Sequence, residues 1–293
     1  MGKLWKSLID LLKGLIIEGI QSNLTNVFQE FDEQAELVNV FASATPESFN
    51  HAAFTFIQTV TQTIIVPIAG IVITYVLVYE LVSMVMERNN MHEFDTFFLF
   101  RYLGKAAIAV MVVSHTSEIV NAIFEVGGYL ASQATTLITG STRLNADYQV
   151  LAMLDTTAME DMPLFELLGN LIETFIIMWA VRLMAFVVAI ITLGRFMEIY
   201  LYMSVAPVPF SMFANKEWGN VGMNYLRGLF ALALQGLLIV LCVGIYSALI
   251  QALVGKSYSD FSTICFCNCM YTAALTFALI KTGSLSKQIM SSH

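Results

Sequence analysis

The sequence predicts an all-α, polytopic transmembrane helical bundle of five or six spans, preceded by an amphipathic helix at the membrane interface. Of the 293 residues, 57% are apolar and only 12% are charged, whereas a soluble domain carries about 25% charged residues. The apolar residues form long blocks, and several blocks exceed the roughly 18 residues that a helix needs to cross a bilayer. We therefore expect the chain to be held in a membrane by its own helices.

The first 50 residues are predicted to form a region of their own, an amphipathic helix over residues 3–20 followed by a polar linker. Charged residues recur there at helical spacing, and leucines occupy the other side of the helix. This pattern favours a helix in the membrane interface with its lysines among the headgroups; the alternative is a helix packed on the protein itself. The residues predicted to contact the interface are Lys3, Trp5, Lys6 and Lys13.

Residues 51–293 are predicted to form the transmembrane domain. Its first helix runs from about 46 to 87, because Thr45 followed by Pro46 is a typical helix start, and Pro67 is expected to kink it. An extracytoplasmic loop is predicted at about 114–161, where several acids accompany a single basic residue, since inner loops are rich in Lys and Arg. The other apolar blocks are 97–113, 164–193, 196–214, 228–254 and 261–280.

The other basic residues predict which segments lie on the inner side of the membrane. These segments are 87–105, 194–227 and the C-terminal tail, and Arg195 is counted among their basic residues. The last two segments share a side only if 196–214 does not cross fully, and the two prolines of that block allow a half-inserted hairpin. This arrangement gives five spans, whereas a full crossing gives six.

Polar and ionisable residues inside the apolar blocks are candidates for a functional or assembly role, because such groups are costly in a bilayer. Glu166, Asn170 and Glu173 recur at helical spacing and form one stripe. The stripe faces either a pore or a partner subunit; alternatively, Glu166 lies at a helix end among headgroups and the other charges form interhelical salt bridges. The full set of candidates is Glu80, Glu166, Asn170, Glu173, Arg182, Glu198 and Gln235.

Patterns typical of enzymes and of metal or cofactor sites are missing from the sequence. Cys265, Cys267 and Cys269 are poorly spaced for a metal, because only two of them share a helix face and tetrahedral zinc needs converging ligands. No phosphate-binding glycine loop, zinc-protease motif or serine elbow occurs. We therefore predict no catalytic residue, no metal, no cofactor and no enzymatic activity.

The stretch 195–235 contains the most distinctive pattern of the chain. Its features are Glu198, Tyr200 and Tyr202 in an apolar run, then Ala206-Pro207-Val208, Phe213, Trp218 and Arg227. In these features, and in its order of spans and loop, the chain resembles the TrbL-like family of polytopic inner-membrane components of conjugative type IV secretion systems. The resemblance marks Pro207, Trp218 and Arg227 as family-motif residues.

The resemblance also implies a function and partners. It implies a multi-pass protein of the bacterial cytoplasmic membrane that forms homo-oligomers, works with the ATPases and coupling protein of the machine, and helps relaxase-bound DNA to cross. A small-molecule secondary transporter is the alternative, because proline-broken helices suit one, although no internal repeat is visible. A scaffold without a pore is a third hypothesis.

Overall fold

The structure is a computed structural model, and it describes residues 2–86, 96–139, 156–254 and 261–290. Every regular element within these ranges is helical, which confirms the all-α prediction. In chain order the elements are α1 (Gly2–Ser43), α2 (Pro46–Phe49), α3 (His51–Val60), a π-helical turn (Thr61–Ile65), α4 (Val66–Met86), α5 (Thr96–Ser114), α6 (Thr116–Thr139), α7 (Thr156–Asp161), α8 (Leu164–Val205), α9 (Pro207–Ser211), a 3-10 turn (Met212–Ala214), α10 (Gly219–Val254) and α11 (Phe261–Ile289).

Three helical stretches in the described ranges are long and apolar enough to cross a membrane: His51–Met86, Leu164–Val205 and Gly219–Ala252. The pair Leu99–Ser114 and Thr116–Ile138 meets at a bend of 63° and gives a fourth candidate if it is counted as one broken span. Length and composition therefore support a multi-pass membrane protein. The count of five or six spans stays a prediction.

The N-terminal helix is longer than the sequence predicts. α1 continues to Ser43, so most of the expected polar linker is helical. Residues 21–43 contain neither Gly nor Pro, and ten of these 23 residues are Gln, Glu, Ala or Leu, which are good helix formers. One face of α1 is buried, whereas its leucine stripe is exposed and comprises Leu8, Leu11, Leu12 and Leu15. The interfacial location of α1 stays a prediction, and the side chains of Lys3, Trp5 and Lys6 lie outside the described residues.

The break after α1 agrees with the predicted helix start. Thr45 has an extended backbone and its hydroxyl accepts from the Ser48 N–H at 3.2 Å, while the Ser48 hydroxyl accepts from the Thr45 N–H at 2.9 Å. Pro46 occupies the first turn, where its missing N–H costs nothing. This reciprocal capping box satisfies two backbone donors that would otherwise lack partners.

The predicted helix 46–87 is divided into α2, α3, a π-helical turn and α4. Asn50 caps α3 by accepting from the Ala53 N–H at 2.9 Å. The π-helical turn ends at Ile65, two residues before Pro67, and the missing N–H of that proline leaves a carbonyl one turn earlier without its helical donor. The expected irregularity near Pro67 is thus a change of helical winding over Thr61–Ile65.

Part of the predicted extracytoplasmic loop is helical. Residues 116–139 form α6 and residues 156–161 form α7, while residues 140–155 lie outside the described residues. The buried side chains of α6 recur every three or four residues, as expected for a helix with one packed face. They are Val120, Ile123, Phe124 and Ala131.

The predicted blocks 164–193 and 196–214 are not separate, which corrects the sequence-based division. α8 runs without interruption from Leu164 to Val205. It ends before Pro207, because a proline cannot donate the next helical hydrogen bond and its ring crowds the preceding turn. α9 and the 3-10 turn follow, and α9 packs against α4 and α5. Arg195 therefore lies within a helix, and the inner-side placement of segment 194–227 stays a prediction.

The chain divides into two compact units. The first comprises Met1–Ala42, Ala131–Thr192 and Leu238–Lys281; the second comprises Ser43–Leu130, Leu193–Leu237 and Thr282–His293. Helices α6, α8, α10 and α11 contribute residues to both.

Each unit has apolar clusters of its own. The first unit buries Ile16, Ile20 and Leu24 of α1 with Leu167 of α8 and Ile250 of α10. The second unit contains a cluster in which α4, α5 and the turn after α9 meet, formed by Ala69, Ile73, Val76, Ala109, Val113 and Ala214.

Candidate functional site

A buried carboxylate lies at the junction of three elements in the second unit. Glu80 follows Ile73 and Val76 on the buried face of α4 and is 7% exposed. Its Oε1 pairs with the Lys105 ammonium of α5. Its Oε2 accepts from Asn215 Nδ2 at 2.9 Å and from the Lys216 N–H at 3.4 Å. Burial of a charge is tolerated only with such pairing, so Glu80 ties the segment after the proline break to two helices. We call Glu80, Lys105 and Asn215 the polar junction.

Asn215 also shapes the backbone at this junction. Its Oδ1 accepts from the Glu217 N–H at 2.7 Å and from the Trp218 N–H at 3.0 Å. An asparagine that caps the next two or three residues forms an Asx turn, which stops one helix and begins another. The same side chain thus fixes the turn before α10 and holds the carboxylate of Glu80.

Aromatic rings lie beside the polar junction. The Trp218 ring stacks on Tyr75 and Tyr79 of α4, with centroid distances of 5.7 and 5.1 Å. The Tyr79 hydroxyl donates to Glu217 Oε2 at 3.0 Å. Trp218, marked by the family resemblance, therefore positions the start of α10 against α4.

Lys105 has a partner that the sequence does not reveal. It pairs with a carboxylate that lies 25 positions earlier, while the placement of segment 87–105 on the inner side of the membrane stays a prediction. The sequence flags Glu80 as a polar residue within an apolar block, but its partners are distant in the chain and only the fold brings them together.

Arg195 is a functional candidate that the sequence analysis missed. It is 4% exposed, on the buried face of α8 with Thr192 and Ile199. Nη2 lies 3.5 Å from the Leu232 carbonyl oxygen, and Nε and Nη1 have no hydrogen-bond partner among the described residues. The guanidinium lies 5.4 Å from the centre of the Phe196 ring. The spacing of the apolar residues around Arg195 is the signal that could have placed it inside a helix.

Glu198 lies one turn beyond Arg195 and pairs with another helix. Its Oε1 accepts from Lys287 Nζ of α11 at 2.7 Å, and both side chains are partly exposed. This hydrogen bond raises the pKa of Lys287 above its ordinary value, so the lysine stays charged. Of the predicted intramembrane residues, Glu198 and Glu80 thus each hold a basic residue of another helix in the second unit.

Gln235 lies on α10 and is 6% exposed. Its Oε1 has no hydrogen-bond partner among the described residues. The amide of Gln235 packs against Gly283 of α11. A Cβ at that glycine would lie only 3.3 Å from Gln235 Nε2.

The remaining polar candidates lie in the first unit. Arg182 Nε is 3.6 Å from Glu30 Oε2 of α1, so its partner is in the N-terminal helix. Asn170 Nδ2 approaches Met162 Sδ at 3.8 Å. Glu166 is exposed and Glu173 is half-buried, and the functional role of their stripe stays a prediction. The interfacial candidate Lys13 donates to the Glu160 carbonyl oxygen at 2.8 Å.

Of the three family-motif residues, Pro207 and Trp218 lie in packed positions, whereas Arg227 is exposed and lies outside the polar junction. Pro207 is buried at the first position of α9, and Trp218 lies beside Glu80 as described. Arg227 is exposed on α10. In the part of the chain that the structure describes, no group of three or more His, Cys, Asp or Glu residues is arranged to hold a metal ion. The side chain of Cys265 lies outside that part.

Comparison with known families identifies the chain. Residues 31–207, which are more than half of it, match the family of TrbL/VirB6 plasmid conjugal transfer like proteins. The chain belongs to this family. Membership makes it a component of conjugal transfer by type IV secretion. No curated protein and no solved structure matches the chain.

The TrbL/VirB6 match begins within α1 and ends at Pro207. It therefore includes Glu80, Lys105, Arg195 and Glu198, but it ends before Asn215. The polar junction is thus built from residues inside the matched region and one residue just beyond it.

Proposed function

We propose that this TrbL/VirB6 protein is an integral channel or scaffold component of a conjugative type IV secretion system in the bacterial cytoplasmic membrane. Its role there is to help relaxase-bound DNA to cross that membrane. The observation that carries this proposal is the family match over residues 31–207 in a chain with three or four candidate membrane spans.

The charges of the chain favour a supporting role in the DNA path. The net charge is −8, whereas proteins that follow a phosphate backbone neutralise it with many Lys and Arg side chains. Several basic residues are also engaged within the protein, including Lys105 with Glu80 and Lys287 with Glu198. Phosphate neutralisation and energy are therefore supplied by partners, among them the ATPases and the coupling protein.

Assembly into a homo-oligomer is part of the proposal. Large apolar side chains are exposed along α8, including Phe165, Ile172, Phe175 and Trp179. In a membrane protein such a surface meets lipid or other transmembrane helices. The half-buried Glu173 and the exposed Glu166 lie on the same helix. Ionisable residues inside a candidate membrane span are functional candidates by default, so this stripe is included in the proposed subunit contact.

A mating assay tests the function. Clean deletion of the gene from the mobile element is expected to abolish transfer to recipients while host growth and element maintenance stay normal, and expression in trans is expected to restore transfer. Immunoblots for the remaining machine proteins control for polar effects of the deletion. Normal transfer without this protein would contradict the proposal.

A further inference from the structure

We propose that the buried guanidinium of Arg195 binds a small inorganic anion of the halide class. Arg195 is 4% exposed, yet two of its three nitrogens, Nε and Nη1, have no hydrogen-bond partner among the described residues. The third, Nη2, reaches the Leu232 carbonyl oxygen only at 3.5 Å, at the outer limit of a hydrogen bond. The guanidinium of Arg195 therefore has buried N–H donors with almost no acceptor among the described residues.

The charges around Arg195 do not balance. The acid next to it on α8 is Glu198, at the i+3 position from which it could reach Arg195. Lys287 already holds that carboxylate at 2.7 Å. No carboxylate of the described residues lies within salt-bridge distance of Arg195, so its charge has no partner among them. An arginine stays protonated in proteins, and buried charges are found paired, so a further negative charge is required here.

Gln235 supplies a second polar group for the same site. Leu232 and Gln235 are three residues apart on α10 and so lie on one helix face. Gln235 is 6% exposed and its Oε1 has no hydrogen-bond partner among the described residues. The oxygen and nitrogen of an amide are assigned rather than observed. We therefore include Gln235 in the site as a candidate N–H donor, because it lies on the same face of α10 as Leu232.

The surroundings limit what the ligand can be. The Phe196 ring covers the guanidinium and stacks on Phe49 with a centroid distance of 3.7 Å. A water molecule would satisfy the hydrogen bonds but not the charge. A lipid phosphate or a peptide carboxylate carries bulk that residues exposed by only 4% and 6% do not admit. A single halide ion supplies the charge at the smallest size.

Chloride dependence of stability tests the site in the purified full-length protein in nanodiscs. The unfolding temperature is expected to rise with chloride to a plateau, relative to sodium gluconate of equal ionic strength, because a ligand that binds only the folded state stabilises it. Bromide is expected to replace chloride. Arg195→Gln is expected to remove the rise. Arg182→Gln is the matched control, since Arg182 is half-exposed on the same helix and paired with Glu30, and it is expected to keep the rise.

Direct binding covers the case in which Arg195→Gln does not fold. The wild-type protein is expected to bind radiolabelled chloride saturably, and Gln235→Leu is expected to weaken that binding. No saturable binding by the wild type would overturn the proposal, as would a chloride effect that Arg195→Gln retains. A wild-type stability that does not respond to chloride would mean that water alone occupies the site, which also overturns it. These outcomes do not depend on the mating assay.

Discussion

Asn215 donates to the buried carboxylate of Glu80 at 2.9 Å and, through the oxygen of the same amide, accepts two backbone N–H groups of the turn before α10. One side chain therefore couples the proline-broken segment to α4. An amide carries both a hydrogen-bond donor and an acceptor, so no apolar residue of similar size can make both sets of hydrogen bonds.

Loss of the Asn215 side chain is expected to destabilise the protein. Asn215→Ala leaves Glu80 with one donor fewer and the turn without its cap, and leaving a buried polar group unsatisfied costs about 1–3 kcal/mol. Asn220→Ala is the control, because Asn220 is exposed on α10 and exposed substitutions change stability by about 0.5 kcal/mol or less. Unfolding in detergent measures both, and equal effects would contradict the assigned role.

Glu80 and Lys105 are expected to be energetically coupled. Either Glu80→Gln or Lys105→Met leaves the other charge without its partner, whereas the double variant removes both charges. The double variant is therefore expected to lose less stability than the sum of the single variants, by about 0.5–3 kcal/mol. Additive losses in this double-mutant cycle would show that the pair contributes nothing specific.

Two helical glycines are expected to respond in opposite directions to alanine. A Cβ on Gly127 of α6 would lie 2.8 Å from the Ala233 Cβ and 2.9 Å from the Ala233 carbonyl oxygen of α10, whereas a Cβ on Gly70 of α4 meets nothing within 4 Å. Gly127→Ala is expected to cost about 1–3 kcal/mol through overpacking. Gly70→Ala is expected to stabilise by about 0.4–1 kcal/mol through the unfolded state. Thermal unfolding compares them, and a tolerated Gly127→Ala would disprove the close approach.

The predicted topology is open to cysteine labelling. In a background without the four native cysteines, a membrane-impermeant reagent added outside is expected to label Asp147→Cys in the acidic segment. It is not expected to label Ser291→Cys in the tail until the membrane is opened. Labelling of Ser291→Cys in intact cells would exclude the five-span arrangement.

The exposed leucine stripe of α1 is expected to contact lipid. A spin label on Leu11→Cys, in the same cysteine-free protein in nanodiscs, is expected to collide more with oxygen than with a water-soluble nickel complex. Ile20→Cys is the control, since Ile20 is fully buried and both reagents should be excluded. Greater access of the nickel complex to Leu11 would place the stripe in water.

Local signals in the sequence were sufficient for some elements and not for others. Thr45 and Pro46 predict a helix start from the sequence alone, because capping joins residues only three apart. The partners of Glu80 lie 25 and 135 positions away, so no local pattern predicts them. Arg195 was counted among the basic residues of an inner segment, because a charge between two apolar runs resembles a boundary. The structure instead places it inside the continuous helix α8 with only 4% of its surface exposed. The polar composition of residues 21–50 suggested a linker, although residues 21–43 contain neither Gly nor Pro to break a helix.

The π-helical turn at Thr61–Ile65 determines the direction, around the helix axis, in which each side chain of α4 points. A π-helical turn holds one residue more than an α-helical turn, and each residue of an α-helix turns the chain by about 100°. Without that extra residue, Glu80 would point about 100° away from Lys105 and Asn215 while Phe54 on α3 kept its buried position. The polar junction thus depends on a phase shift introduced almost twenty residues earlier, and a one-residue deletion there would disconnect it without altering any of its members.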